Sequence, residues 1–80
     1  MNIKKAVSNR IIELCKDNDI TINELANIAG ISPTTIYSII GTKSLNPGII
    51  TLKKICDGFG ITIVEFFDTE EFRTLEQELK

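Results

Sequence analysis

The chain has 80 residues, 42% of them apolar and 25% charged, with a formal net charge of −2. That length supports one hydrophobic core and excludes a two-domain protein, and the composition excludes a disordered or low-complexity chain. Apolar residues run together only in pairs such as Ile11-Ile12 and Ile49-Ile50, whereas a membrane span needs about 20 in succession. Lys4 and Lys5 are followed by Ser8, Asn9 and Arg10, which leave no apolar stretch for a secretory leader, so the expected compartment is the cytoplasm. There is no histidine, and Cys15 and Cys56 lie far apart. Zinc spacing, a Cys-x-x-Cys pair and a thiol activated by imidazole are therefore absent, and no enzyme activity, metal, cofactor or small-molecule ligand is expected. Both cysteines fall on apolar stripes and read as reduced core thiols.

Charge is unevenly placed. Residues 1–56 carry seven Lys or Arg against four Asp or Glu, a net of +3, and residues 57–80 carry two against seven, a net of −5. Such asymmetry suggests one side facing a polyanion and an acidic side turned away from it.

In chain order, Ile3, Val7, Ile11, Leu14 and Cys15 recur on one face of a helix over residues 3–17, which Asn18 and Asp19 end by tolerating left-handed backbone. Thr21 with Glu24 is a capping-box pattern that opens a short second helix through Ile22, Leu25, Ile28 and Ala29 to Gly30. Ser32 as cap and Pro33 as first residue start a third helix, with Ile36, Ile39 and Ile40 inward and Thr34, Thr35, Tyr37 and Ser38 outward. Gly41 to Gly48 reads as a polar loop, basic through Lys43. Ile49, Leu52, Ile55, Cys56 and Phe59 form the face of a fourth helix, whose end Gly58 and Gly60 mark. Thr62 with Glu65 repeats the capping box before a fifth, very short helix containing Ile63, Phe66 and Phe67. Beyond Asp68, Phe72, Leu75 and Leu79 make a narrow stripe on an acidic helix expected from Glu70 to Leu79. The fold class is all-α. Residues 1–68 form the main unit and residues 69–80 an acidic amphipathic helix, either part of the same domain or a dimer contact.

Two short helices joined by a tight turn containing Gly, each with one apolar face, form a helix-turn-helix unit whose second helix is free to enter a groove. Eight residues at about 1.5 Å each give that helix roughly 12 Å, the width of a DNA major groove. The helix N-termini at Thr21 and Gly48 present backbone N–H groups suited to phosphates. The stretch Leu25-Ala26-Asn27-Ile28-Ala29-Gly30-Ile31-Ser32-Pro33-Thr34-Thr35-Ile36, with Asn46-Pro47, Thr51-Leu52-Lys53-Lys54-Ile55 and Gly60-Ile61-Thr62, resembles the lambda-repressor-like, xenobiotic-response-element (Cro-like) helix-turn-helix regulators. Lys53-Lys54-Ile55-Cys56-Asp57-Gly58 and the acidic tail resemble in particular the small stand-alone Gram-positive members. The resemblance implies a compact five-helix bundle that binds double-stranded DNA, usually as a homodimer, and regulates transcription, here most simply as a repressor. It places Pro33, Thr34, Tyr37 and Ser38 at base-facing positions and Thr21, Lys43, Ser44 and Asn46 near the DNA backbone.

Departures from the family pattern bear on recognition. Ile22 stands where many relatives place a Gln, Ser38 replaces a frequent Arg, Ile40 a frequent Glu, and the loop carries an apparent insertion at Leu45. The outward face of the third helix has hydroxyls, one ring and methyl groups but no Arg, Lys, Asn or Gln for bidentate base recognition. The expectation is modest direct readout, with thymine-methyl contacts by Thr34 and Tyr37, half-site spacing and DNA deformability contributing. Alternatives stay open at single residues: Tyr37 as a ring that shields the bundle, Lys43 and Asn46 as loop solvation, Lys53 and Lys54 as a solvated helix face. Val64, Phe72, Leu75 and Leu79 form either a dimer seam or a surface that the tail covers in its own chain. The rival function is a protein-interaction module that keeps the fold without DNA contacts.

Overall fold

In the computed structural model, which describes residues 2–41 and 46–79, α1 (Ile3–Asp17) opens where Asn2 Oδ1 accepts a hydrogen bond from the Lys5 amide at 2.9 Å. It ends where Asn18 covers the Leu14 carbonyl through both its amide and its Nδ2, and Asp19 turns the chain at φ 54°. The two capping boxes form as their spacing dictates. Thr21 Oγ1 accepts from Glu24 N and Glu24 Oε1 from Thr21 N, both at 3.0 Å, to start α2 (Ile22–Ala29). Thr62 and Glu65 repeat the exchange at 2.9 and 3.0 Å to start α5 (Ile63–Phe67). Each box satisfies two amides that a helix start leaves without partners.

Ser32 is the N-cap residue of α3 (Pro33–Ile40), although its hydroxyl makes no capping bond; Pro33 alone presets the first turn. The fourth helix, α4 (Ile49–Phe59), departs from expectation at Gly58. Gly60, at φ 72°, is its left-handed cap, whereas Gly58 lies inside the helix. A Cβ at Gly58 would meet Ala29 Cβ at 3.2 Å and Leu25 Cδ1 at 3.4 Å. The glycine there permits the close approach of α4 to α2 rather than ending the helix.

The core draws on every helix from α1 to α5: Val7, Ile11, Leu14 and Cys15 from α1, Leu25 and Ala26 from α2, Ile36 and Ile39 from α3, Leu52, Ile55 and Cys56 from α4, and Phe66 from α5. Some residues expected on apolar faces lie outside it. Ile3, Ile28 and Ile49 are exposed, at the edges of faces already filled by Val7, Leu25 and Leu52. Burial in apolar surroundings raises the pKa of both free thiols, Cys15 and Cys56, and the Asp57 carboxylate adds to the effect at Cys56. They are inert fillers at neutral pH, as buried cysteines generally are.

The tail helix is shorter than its stripe suggests. The sixth helix, α6, covers only Glu70–Arg73; Thr69 caps it, and residues 74–79 continue without helix. The reason is partnership. Phe72 reaches Phe67 and Phe66, with ring centroids 4.8 and 6.1 Å away, while Leu79 is 87% exposed. A helix shorter than about 12 residues is marginal in water without packing.

Candidate nucleic-acid interface

The second helix of the pair is held by its back and open at its front. Ile36 and Ile39 are 0% and 2% exposed, and they fix α3 against the core. At its C-terminal end the buried Ser8 of α1 donates from Oγ to the Ile40 carbonyl at 3.1 Å, filling an acceptor that a helix end leaves open. Gly41 follows because a Cβ there would stand 2.9 Å from the Tyr37 carbonyl oxygen. At the other end Gly30, at φ 70°, makes the turn between α2 and α3, and its amide and that of Ile31 close onto Asn27 and Ala26.

The outward side of α3 carries Pro33, Thr34 and Tyr37, all exposed, with Thr35 and Ser38 half-buried. Tyr37 is 52% exposed. Ser38 differs from expectation in its chemistry: its hydroxyl donates to the Thr34 carbonyl at 2.9 Å. Its proton is engaged within the helix, which leaves only lone pairs facing outward.

The two helix N-termini beside this face are unequal. At α2 the capping box occupies the amides of Thr21 and Glu24 and puts a carboxylate in the first turn, which opposes a phosphate. At α4 Gly48 is the cap, among the described residues no side-chain cap bond is made to the first turn, and that turn contains no acid. Its dipole and amides suit an anion. Asn46 lies exposed just before it, with Pro47 half-buried between. Lys43 and Ser44, the other two expected backbone contacts, lie outside the described residues, as does the loop segment around Leu45.

The basic character of residues 1–56 is partly spent inside the molecule. Arg10 turns inward: its Nε donates to the Phe66 carbonyl at 2.7 Å, its Nη2 to the Glu65 carbonyl at 2.9 Å and its Nη1 to Glu13 at 2.5 Å, with the guanidinium 6.0 Å from the Phe66 ring centroid. Lys53 pairs with Asp57 one turn along α4. On the acidic side Arg73 pairs with Asp68, and with Glu70 at 3.7 Å. Among the expected seam residues, Val64 is 76% exposed on α5, Leu75 is half-buried and Leu79 exposed, whereas Phe72 packs against the core of its own chain.

Sequence reading missed Ser8, Arg10 and Gly41, which position α3 and α5 without belonging to any local pattern. The nearest signal was a serine on an otherwise apolar helix face one turn after Lys4. No comparable sign marked Arg10, because its acceptors are backbone carbonyls.

A short helix fixed by its back, turned out from a partner helix across a left-handed glycine, defines a helix-turn-helix DNA-binding domain. Residues 10–71 match the Cro/C1-type HTH DNA-binding domain, and the chain belongs to that family. The crystal structure of the prophage Lp1 protein 11 is similar over 94% of this chain and 100% of that one, with a TM-score of 0.81 at 30% sequence identity. No curated protein sequence matches the chain. Among the described residues no helix is long and apolar enough to cross a membrane.

Proposed function

We propose that the protein is a sequence-specific transcriptional regulator that binds double-stranded DNA as a homodimer with α3 in the major groove, and that it represses by occluding the site it covers. The observation that carries this reading is the division of α3 into a buried side, Ile36 and Ile39, and an exposed side of Pro33, Thr34 and Tyr37. Occlusion requires no contact beyond the duplex itself. Backbone positioning falls to the uncapped start of α4 with Asn46, to the hydroxyl of Thr21 and to Lys43 and Ser44. On this reading the protein works in the cytoplasm. Val64 and Leu79 are exposed apolar groups assigned here to a second copy; Ile28, Ile49 and Ile50 are exposed as well.

Selection of bound duplexes from a random-sequence library at about 0.1 M salt, where nonspecific attraction is already weakened, tests the reading. The expected result is enrichment of a two-fold symmetric motif with half-sites about 34 Å apart, one helical turn. Enrichment of one asymmetric half-site would refute the dimer. Failure to enrich any duplex would refute sequence-specific binding and favour the protein-interaction module.

A further inference from the structure

Resting on the placement of α3 in the major groove, we infer that this helix reads thymine by its 5-methyl group, with Thr34 as the main specificity-determining residue and Tyr37 and Pro33 flanking it. The inference comes from what the exposed face has to offer. Guanine is read through two acceptors, O6 and N7, and needs two donors; adenine is read through N7 and N6 and needs one donor beside one acceptor. From Pro33 to Ile40 no side chain carries a guanidinium, ammonium or amide. Ser38, the residue replacing a common arginine, has its proton engaged with the Thr34 carbonyl at 2.9 Å. It offers lone pairs for a single acceptor contact, which meets half of adenine's bidentate pattern and none of guanine's.

Beside the hydroxyls of Thr34 and Tyr37, each a single donor or acceptor that does not by itself select a base, the exposed residues Pro33, Thr34 and Tyr37 carry hydrocarbon: a pyrrolidine ring, a methyl group and an aromatic ring. Thymine is the base that meets such a surface with hydrocarbon of its own, since its methyl projects into the major groove. The same hydrogen bond that removes Ser38 as a donor also ties the Thr34 backbone to the next turn. Thr34 is therefore bonded to Ser38 one turn along, and the helix end at Ile40 is held by Ser8.

The test uses the full chain and a duplex carrying the half-sites obtained by library selection, compared by fluorescence anisotropy with the same duplex in which deoxyuridine replaces thymidine at one half-site position at a time. This exchange deletes the methyl and leaves every base-pairing and groove hydrogen-bonding group in place. At the contacted position binding should weaken about fourfold, the value of one buried methyl-sized group. Thr34→Ser keeps the hydroxyl and removes the methyl, so it should bind the thymidine duplex about as weakly and show no further loss with deoxyuridine. In a C·G replacement of the contacted T·A pair, 5-methylcytosine should recover part of the affinity lost with cytosine, because its methyl occupies the same place in the groove.

Equal binding of thymidine and deoxyuridine duplexes at every position overturns the inference while leaving DNA recognition intact. So does a selected half-site without thymine, or a deoxyuridine penalty undiminished in Thr34→Ser. If no duplex is selected at all, the placement of α3 in the groove fails first and this inference falls with it.

Discussion

Arg10 shows how one residue's role differs from the role its charge suggests. Counted along the chain it contributes to a basic half; in the fold it is a clamp, with three donor groups on Phe66, Glu65 and Glu13 and a side chain only 15% exposed. Its acceptors at Glu65 and Phe66 are carbonyls near the end of α5, a five-residue helix too short to stand alone. Arg10→Met should therefore cost about 2 kcal/mol, in the range of hydrogen bonds to a charged group, measured as the shift in urea unfolding. Arg10→Lys, a point charge without the planar fork, should recover less than half of that. A loss for Arg10→Met below about 0.5 kcal/mol, the level of an exposed pair, would show that the clamp contributes nothing. This role was not legible in the sequence because the two carbonyls lie 55 and 56 positions away and belong to the backbone. By contrast Thr21 and Glu24, or Thr62 and Glu65, announce their bonds at a spacing of three. The Thr34 and Tyr37 positions were legible because they alternate with Ile36 and Ile39 on a short helix; the engagement of the Ser38 proton was not, since it is a choice of side-chain torsion.

At the scale of elements, the starts of α1 to α5 and the turn at Gly30 follow from local chemistry, and they came through the sequence almost intact. What local chemistry does not decide is where an apolar stripe finds a partner. The stripe Phe72, Leu75, Leu79 has helical spacing, yet only Phe72 meets other rings and the helix stops at Arg73. Gly58 is the converse case, a residue whose local signal marks a helix end but whose neighbour across the core, Ala29, explains it. The packing of α6 on α5 gives a prediction that separates the two roles weighed for the tail. Phe72→Ala should lower stability by about 2 kcal/mol, less than the 3 to 5 typical of a fully buried phenylalanine, and should leave the sedimenting mass unchanged. A change in mass with no change in unfolding would assign Phe72 to the seam between copies instead.

The whole molecule faces a problem of attraction. Its net charge is −2, Arg10 is turned inward and Lys53 is paired with Asp57, so one copy offers a polyanion fewer cations than the count over residues 1–56 suggests. A single α3 spans roughly 12 Å, enough for one groove face. Two copies double both the reading surface and the phosphate contacts, and the uncapped starts of both α4 helices then add fixed dipoles to the lysines. In the homodimer proposed above the seam is assigned to Val64, because α5 turns Phe66 fully inward and leaves Val64 at 76% exposure. If a dimer touches about six phosphates, the logarithm of affinity should fall with the logarithm of salt at a slope near −5. Val64→Gln, which weakens an apolar seam without adding charge, should halve the sedimenting mass at micromolar concentration and reduce the slope to about −3, the value for one copy's phosphates. A wild-type chain that sediments as a monomer at every concentration would remove Val64 from any seam. A variant that loses mass but keeps the full slope would mean that the second copy assembles on DNA through contacts that Val64 does not make.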